Sequence, residues 1–317
     1  MSSLQDPTIV VGVDGTRESL RALRFAVTEA ERTGSELVLV NAVHEVVPFA
    51  PMWPFLLSET LIDVGHELLA DARTVVDDLS RGRVGCRLVT TLGPAVSVLA
   101  TAAERARLIV LGRRAAGVVE RLFTGSTTFG VVARASCPVV SVPPDWVDDR
   151  RHGRLVAAVD GSAASSSVLA SAFAAAQERS ARLDVVHCWR LDPFYDYLVD
   201  EASVQEEWNT RTRDRIHRLV EEWAPRYPSV EVSTRLEYDE VADALVRRSH
   251  HADVMVVGRH GHGGIGTRVA MTSPGSTTRA LLQHARCPVE VVPTSESHAT
   301  APDVGEPGAI RHGTTTA

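Results

Sequence analysis

Ile9-Val10-Val11-Gly12-Val13-Asp14-Gly15-Thr16, near the start of the chain, returns as Leu155-Val156-Ala157-Ala158-Val159-Asp160-Gly161-Ser162. Each stretch is an apolar, β-branched run that ends in Asp-Gly and a hydroxyl residue. That is the pattern of a buried strand running through a turn into a helix cap. Two further pairs keep the same company. Leu108-Ile109-Val110-Leu111-Gly112-Arg113 matches Val254-Met255-Val256-Val257-Gly258-Arg259, and Cys137-Pro138-Val139-Val140 matches Cys287-Pro288-Val289-Glu290. The separations 160 − 14 and 258 − 112 are both 146, whereas 287 − 137 is 150. The halves therefore stay in register from first strand to fourth, and the second gains four residues between Gly258 and Cys287 (150 − 146). A repeat of this length is a duplicated domain rather than a solenoid unit.

Outward from these strands, each half alternates β and α segments. In the first, residues 8–13 form a strand, and Thr16 caps an amphipathic helix that Gly34 stops. Residues 36–43 form a second strand, 58–80 a helix, Val84–Thr90 a third strand, Ala95–Ala106 a helix and Leu108–Leu111 a fourth strand. A short helix starts at Gly125-Ser126-Thr127-Thr128, and Val139–Val142 closes the unit. The second half repeats this with strands near 154–159, 183–188, 230–236, 253–257 and 289–292, and a long charged helix over 196–224. Such alternation implies an α/β fold, with a parallel sheet covered by helices on both faces. The expected domains are residues 1–145 and 153–293, with the stretch from Pro143-Pro144-Asp145 to Gly153, which contains Asp148-Asp149-Arg150-Arg151, as the linker. Residues 294–317, without apolar period, are expected to be a disordered tail.

The apolar share of 44% supports two cores, and a net charge of −7 argues against nucleic-acid or anionic-membrane binding. No apolar run reaches the roughly 18 residues of a membrane span, and Met1–Pro7 has no signal-peptide pattern, so a cytoplasmic location is expected. Cys86, Cys137, Cys188 and Cys287 show no CxxC spacing and read as small buried hydrophobes. All 33 basic residues are arginine. That excludes a P-loop lysine, a Schiff base and a lysine general base, so any phosphate must be held by arginine, hydroxyls or backbone N–H groups.

In doubly wound sheets, ligands bind beyond the strands' carboxyl ends where the strand order reverses. Here those ends carry Asp14-Gly15-Thr16 and Gly112, and a loop of small residues leads to Gly125-Ser126-Thr127 at a helix start. Glycines permit close backbone approach, and a helix N-terminus offers free N–H groups to an anion. Neither GxGxxG nor GxxxxGKS is present.

On these residues the chain resembles the universal stress protein family, over residues 7–293 as two tandem copies. The Val-Asp-Gly-Thr/Ser strand end, the Leu-Ile-Val-Leu-Gly strand and the Cys-Pro-Val-Val strand carry the resemblance, together with the ATP signature Gly-x2-Gly-x9-Gly-Ser/Thr. The resemblance implies two Rossmann-like, five-stranded parallel sheets in order 3-2-1-4-5, with last strands that pair across an axis, and ATP as ligand, with or without Mg2+. The candidate nucleotide contacts in the first half are Gly12, Asp14, Gly112, Arg113, Arg114, Ala115, Gly117, Gly125, Ser126 and Thr127. In the second they are Asp160, Gly258, Gly261, Gly275, Ser276 and Thr277. Both signatures depart from the pattern. Ala115 stands where the middle glycine belongs, and thirteen residues rather than nine separate Gly261 from Gly275. The insertion is expected to displace the second helix start from the fourth-strand loop, which ranks the first site above the second.

Arg113 and Arg114 could pair with phosphates or stand solvated. His250-His251 and His260-x-His262 lack a carboxylate or cysteine at matching spacing, so no metal site is expected. The aromatic loops Pro48–Phe55 and Asp192–Tyr197 could cover a nucleotide, form a partner surface or simply pack. No catalytic triad or paired-carboxylate motif is readable. The expected function is a nucleotide-responsive stress regulator that binds ATP and is not an enzyme. The alternatives are an interaction module with degenerate sites, displaying a surface to a protein partner or a second copy, and a slow ATP hydrolase.

Overall fold

The computed structural model describes residues 6–43, 58–114, 126–148, 151–190, 201–261 and 273–293. The first half runs β1 (Asp6–Gly12), α1 (Arg17–Thr33), β2 (Glu36–Val43), α2 (Ser58–Ser80), β3 (Cys86–Leu92), α3 (Ala95–Ala102), β4 (Ala106–Gly112), α4 (Ser126–Arg134) and β5 (Val139–Val142). The second repeats it as β6 (Arg154–Ala158), α5 (Ala164–Arg179), β7 (Arg182–Trp189), α6 (Glu201–Trp223), β8 (Val232–Tyr238), α7 (Val241–Arg248), β9 (Val254–Gly258), α8 (Ser276–His284) and β10 (Val289–Val292). The tail from residue 294 and both aromatic loops lie outside the described residues.

Each half has the expected parallel 3-2-1-4-5 order. The last strands join the halves into one ten-stranded sheet, β3-β2-β1-β4-β5-β10-β9-β6-β7-β8. Among the described residues the joint is the one antiparallel pairing in it, with Glu290 opposite Val140 and Val291 opposite Val139. Pairing β5 with β10 satisfies two strand edges that would otherwise be open to another chain. Helices cover both faces, and the apolar layer on each face draws residues from both halves.

Local chemistry sets the element ends. Thr16 Oγ1 accepts the Ser19 N–H at 3.2 Å to cap α1, and Gly34 ends it in the left-handed conformation. The helix expected to reach Ala106 stops at Ala102. The Ala103 N–H turns in to the carbonyls of Leu99 and Ala100, and Ala106 already begins β4 opposite Asp6. Ala103 and Ala106 are both buried, so apolar periodicity alone cannot show the break between them. The third strand begins two residues later than expected, at Cys86, because the Gly85 carbonyl accepts the Leu37 N–H and β2 pairs onward from Leu37–Cys86.

Beyond the strand pairing, charge holds the halves together. Glu29 on α1, 5% exposed, takes Arg179 of α5 at 2.6 Å and Arg32 at 2.5 Å. Arg107 pairs with Glu178 across the same seam, and buried Glu290 accepts from Ser171. Burial raises the Glu290 pKa, against the lowering from the Ser171 hydrogen bond and Arg179. Burial likewise pushes the Cys137 thiol up to about 11 and Cys287 up to about 12, so neither is a thiolate at neutral pH. No helix among the described residues is long and apolar enough to cross a membrane.

Candidate functional site

The carboxyl ends of β1 and β4 part around a cleft of about 540 Å3, inside the usual range for small-molecule sites. Val40, Leu99 and Leu111 supply apolar lining, Asp14, Asn41 and Thr127 polar lining. The Asp14-Gly15-Thr16 turn is built by its own residues. Gly15 sits at φ +77, a conformation that side chains resist, and its counterpart Gly161 at +76. The Asp14 carboxylate then accepts the Thr16 N–H at 3.1 Å and the Thr16 hydroxyl at 2.5 Å, and Arg114 reaches it at 3.1 Å. Burial raises the Asp14 pKa, but the bonds from Thr16, Ser19 and Arg114 outweigh it and hold the carboxyl below the ordinary aspartate value. A charged acceptor therefore stands at the cleft mouth at neutral pH.

The second cleft, about 390 Å3, repeats this at β6 and β9 and is lined by Asp160, Gly258, Gly261, Gly275, Ser276 and Thr277. Asp160 accepts the Ser162 N–H at 2.9 Å and the Ser165 hydroxyl at 3.1 Å. Here the insertion does not act as expected. The Gly275 N–H donates to the Arg259 carbonyl at 3.0 Å, which ties the start of α8 directly to the loop after β9. The extra residues leave that contact intact.

The structure also corrects the phosphate reading of Arg113. Its guanidinium crosses to the second half and donates to the carbonyls of Leu282 at 3.3 Å and Ala285 at 2.7 Å, at the end of α8. Arg259, its repeat counterpart, does the same to Ala133 at 3.2 Å and to Ala135, at the end of α4. Each arginine satisfies helix C-terminal carbonyls of the opposite half, a structural task. Burial lowers the Arg113 pKa to about 10, so it stays charged at neutral pH. Gly112 is also committed to packing: a Cβ there would press on the Glu18 backbone carbonyl of α1. Gly12 lines the first cleft, and its counterpart Ala158 lines the second. Ala115, Gly117 and Gly125 lie outside the described residues, as does the Ser126 side chain, although α4 begins at Ser126.

Motif reading missed two polar strand-end positions: Asn41, which lines the first cleft, and its buried counterpart His187, which does not line the second. Asn41 Nδ2 donates to the Val13 carbonyl at 2.7 Å, and His187 Nδ1 donates to the Val159 carbonyl at 2.8 Å. They are repeat equivalents (187 − 41 is 146), and a polar side chain recurring in register at the end of two apolar strands is the signal that could have found them. Each steadies the residue before the Asp-Gly turn. Among the described residues no group of three or more His, Cys, Asp or Glu is placed to hold a metal, and His260 Nε2 donates to the Ser273 carbonyl at 2.8 Å.

Two parallel half-sheets, each with a crevice at the reversal of strand order, define a tandem Rossmann-like α/β protein. The sequence model of the Universal stress protein family matches residues 7–143 and 152–293. The chain belongs to that family, in tandem form. It is 30% identical over 290 residues to Universal stress protein Rv2005c of Mycobacterium tuberculosis, which spans 89% of this chain and 96% of that one. It is also 30% identical over 294 residues to a universal stress protein of Mycolicibacterium smegmatis, spanning 90% of this chain and 96% of that one. Among solved structures, a universal stress protein from Archaeoglobus fulgidus shares the fold at TM-score 0.67 and 17% identity, over 91% of this chain and 99% of that one.

Proposed function

We propose that the protein binds an adenine nucleotide, ATP, in the first cleft and serves as a nucleotide-responsive regulator rather than as a catalyst. The observation that carries this reading is the cleft between β1 and β4, apolar at one end and opening onto the first turn of α4 at the other. An adenine ring fits against Val40, Ala42 and Leu99 at the β2 end. The Asp14 carboxylate accepts from ribose hydroxyls. The free N–H groups and hydroxyls at the start of α4, Thr127 among them, receive phosphate oxygens. With no lysine in the chain, backbone and hydroxyl donors carry that task, and any Mg2+ arrives with the phosphates. Binding without turnover is supported by Asp14, whose carboxylate is already engaged by Thr16 and Arg114 and is poorly placed to serve as a general base. The second cleft, smaller and with Gly261 drawn against Asp160, is a weaker site for the same ligand.

Protein purified at low salt and denatured should release adenine nucleotide, detected by mass spectrometry, in an amount approaching that of the protein. Release of none, together with no binding of added nucleotide, would favour a purely structural interaction module.

A further inference from the structure

The first half does not build the first cleft alone. Gln283 and His284, on the last turn of α8 in the second half, line it as well. Arg113 brings them there. It directly follows Gly112 at the end of β4, and its guanidinium holds the final carbonyls of α8 at 3.5, 3.3 and 2.7 Å. Leu281 already accepts the Ala285 N–H, but the Leu282 and Ala285 carbonyls are helix-end acceptors that would otherwise turn negative partial charge toward the cleft. With Arg113 bonded to them, the last turn of α8 becomes a tolerable neighbour for an anion.

Among the described residues the second cleft has no such wall. Ala133 and Arg134 stand in α4 where Gln283 and His284 stand in α8 (283 − 133 and 284 − 134 are both 150), and neither lines the second cleft. Among the described residues the two crevices are therefore of different kinds, one shared between halves and one not.

Sheet order indicates which part of a ligand meets the shared wall. The first cleft extends from β2 across β1 and β4, and the second half joins beyond β5. A nucleotide with its base at the β2 end and its phosphates at the start of α4 directs its far phosphate away from β2, toward α8. Gln283 offers a carboxamide NH2 and His284 a ring N–H, both donors to phosphate oxygens. We infer that Gln283 and His284 are specificity residues that contact the terminal phosphate of the nucleotide in the first cleft, so that the second half reads phosphate number there. This rests on the adenine-nucleotide reading of the cleft.

The test is calorimetric titration of the intact protein, freed of nucleotide, with ATP and separately with AMP. In the Gln283→Ala/His284→Ala variant ATP affinity at the first cleft should fall at least about tenfold, the scale of one lost hydrogen bond to a charged group, while AMP affinity stays within about twofold of the parent. Gln283→Glu, which sets a carboxylate against the phosphate, should likewise weaken ATP and spare AMP. Both positions are exposed, and circular dichroism will show whether each variant keeps its fold. Equal losses for ATP and AMP, or no loss for either, would overturn the inference and leave nucleotide binding standing. A parent protein that binds neither nucleotide would overturn the adenine-nucleotide reading, and the inference with it.

Discussion

Gly112→Ala will destabilise the protein by about 3 kcal/mol or more, the upper range for overpacking against atoms that cannot move. The added methyl meets the backbone carbonyl of Glu18 in the first turn of α1 rather than the flexible end of a side chain. Relief requires α1 to lift from β4, and α1 packs its buried face, including Leu23 and Phe25, into the core below. The same change in the second half, Gly258→Ala, should stay within about 1 kcal/mol of the parent, because a small steric cost is partly offset by reduced freedom of the unfolded chain. There the nearest atoms to a new Cβ are the His260 carbonyl oxygen at 3.3 Å and Val168 Cγ2 at 3.5 Å. Urea unfolding of the two variants side by side checks the contrast. Equal losses would mean that the close approach of α1 to β4 is not what requires the first glycine.

Glu29→Ala will cost about 3 kcal/mol, the scale of a buried ion pair broken from one side. Glu29 lies between Arg32 and Arg179, at 2.5 and 2.6 Å, and the Arg179 side chain is only 10% exposed. Truncation leaves Arg179 charged and enclosed at the seam between α1 and α5. Arg179→Ala should cost less, since Glu29 then keeps Arg32. The order of the two losses, read from the same unfolding curves, distinguishes this account from simple lost packing. If Arg179→Ala were the costlier change, the packing of the long arginine stem rather than the charge would be holding the seam.

The repeated Val-Asp-Gly strand end made much of this fold legible. Asp14 and Asp160, Gly112 and Gly258 and the Cys-Pro strands mark the same three places in each half, and alternation between them leaves few topologies open. The capping of α1 by Thr16 and Gly34 was equally readable, because those signals act over one turn of helix. What escaped was decided at long range. Arg113 was open to a phosphate role because its neighbours in sequence are a strand end and a loop of small residues. Its partners at Leu282 and Ala285 lie about 170 residues away and follow from the antiparallel pairing of β5 with β10. The same pairing carries Gln283 into a cleft whose motif lies wholly in the other half. The insertion after Gly261 raised a similar difficulty: its length could be counted, but the Gly275–Arg259 hydrogen bond that keeps α8 in place could not.

Isothermal titration of the nucleotide-free protein with ATP tests the central claim most directly. The cleft between β1 and β4 predicts saturable binding, with the tighter phase lost when Asp14 is changed to Ala and kept when Asp160 is changed to Ala. Heats no larger than dilution at ATP concentrations up to the millimolar range, in a protein shown to be folded, would contradict it.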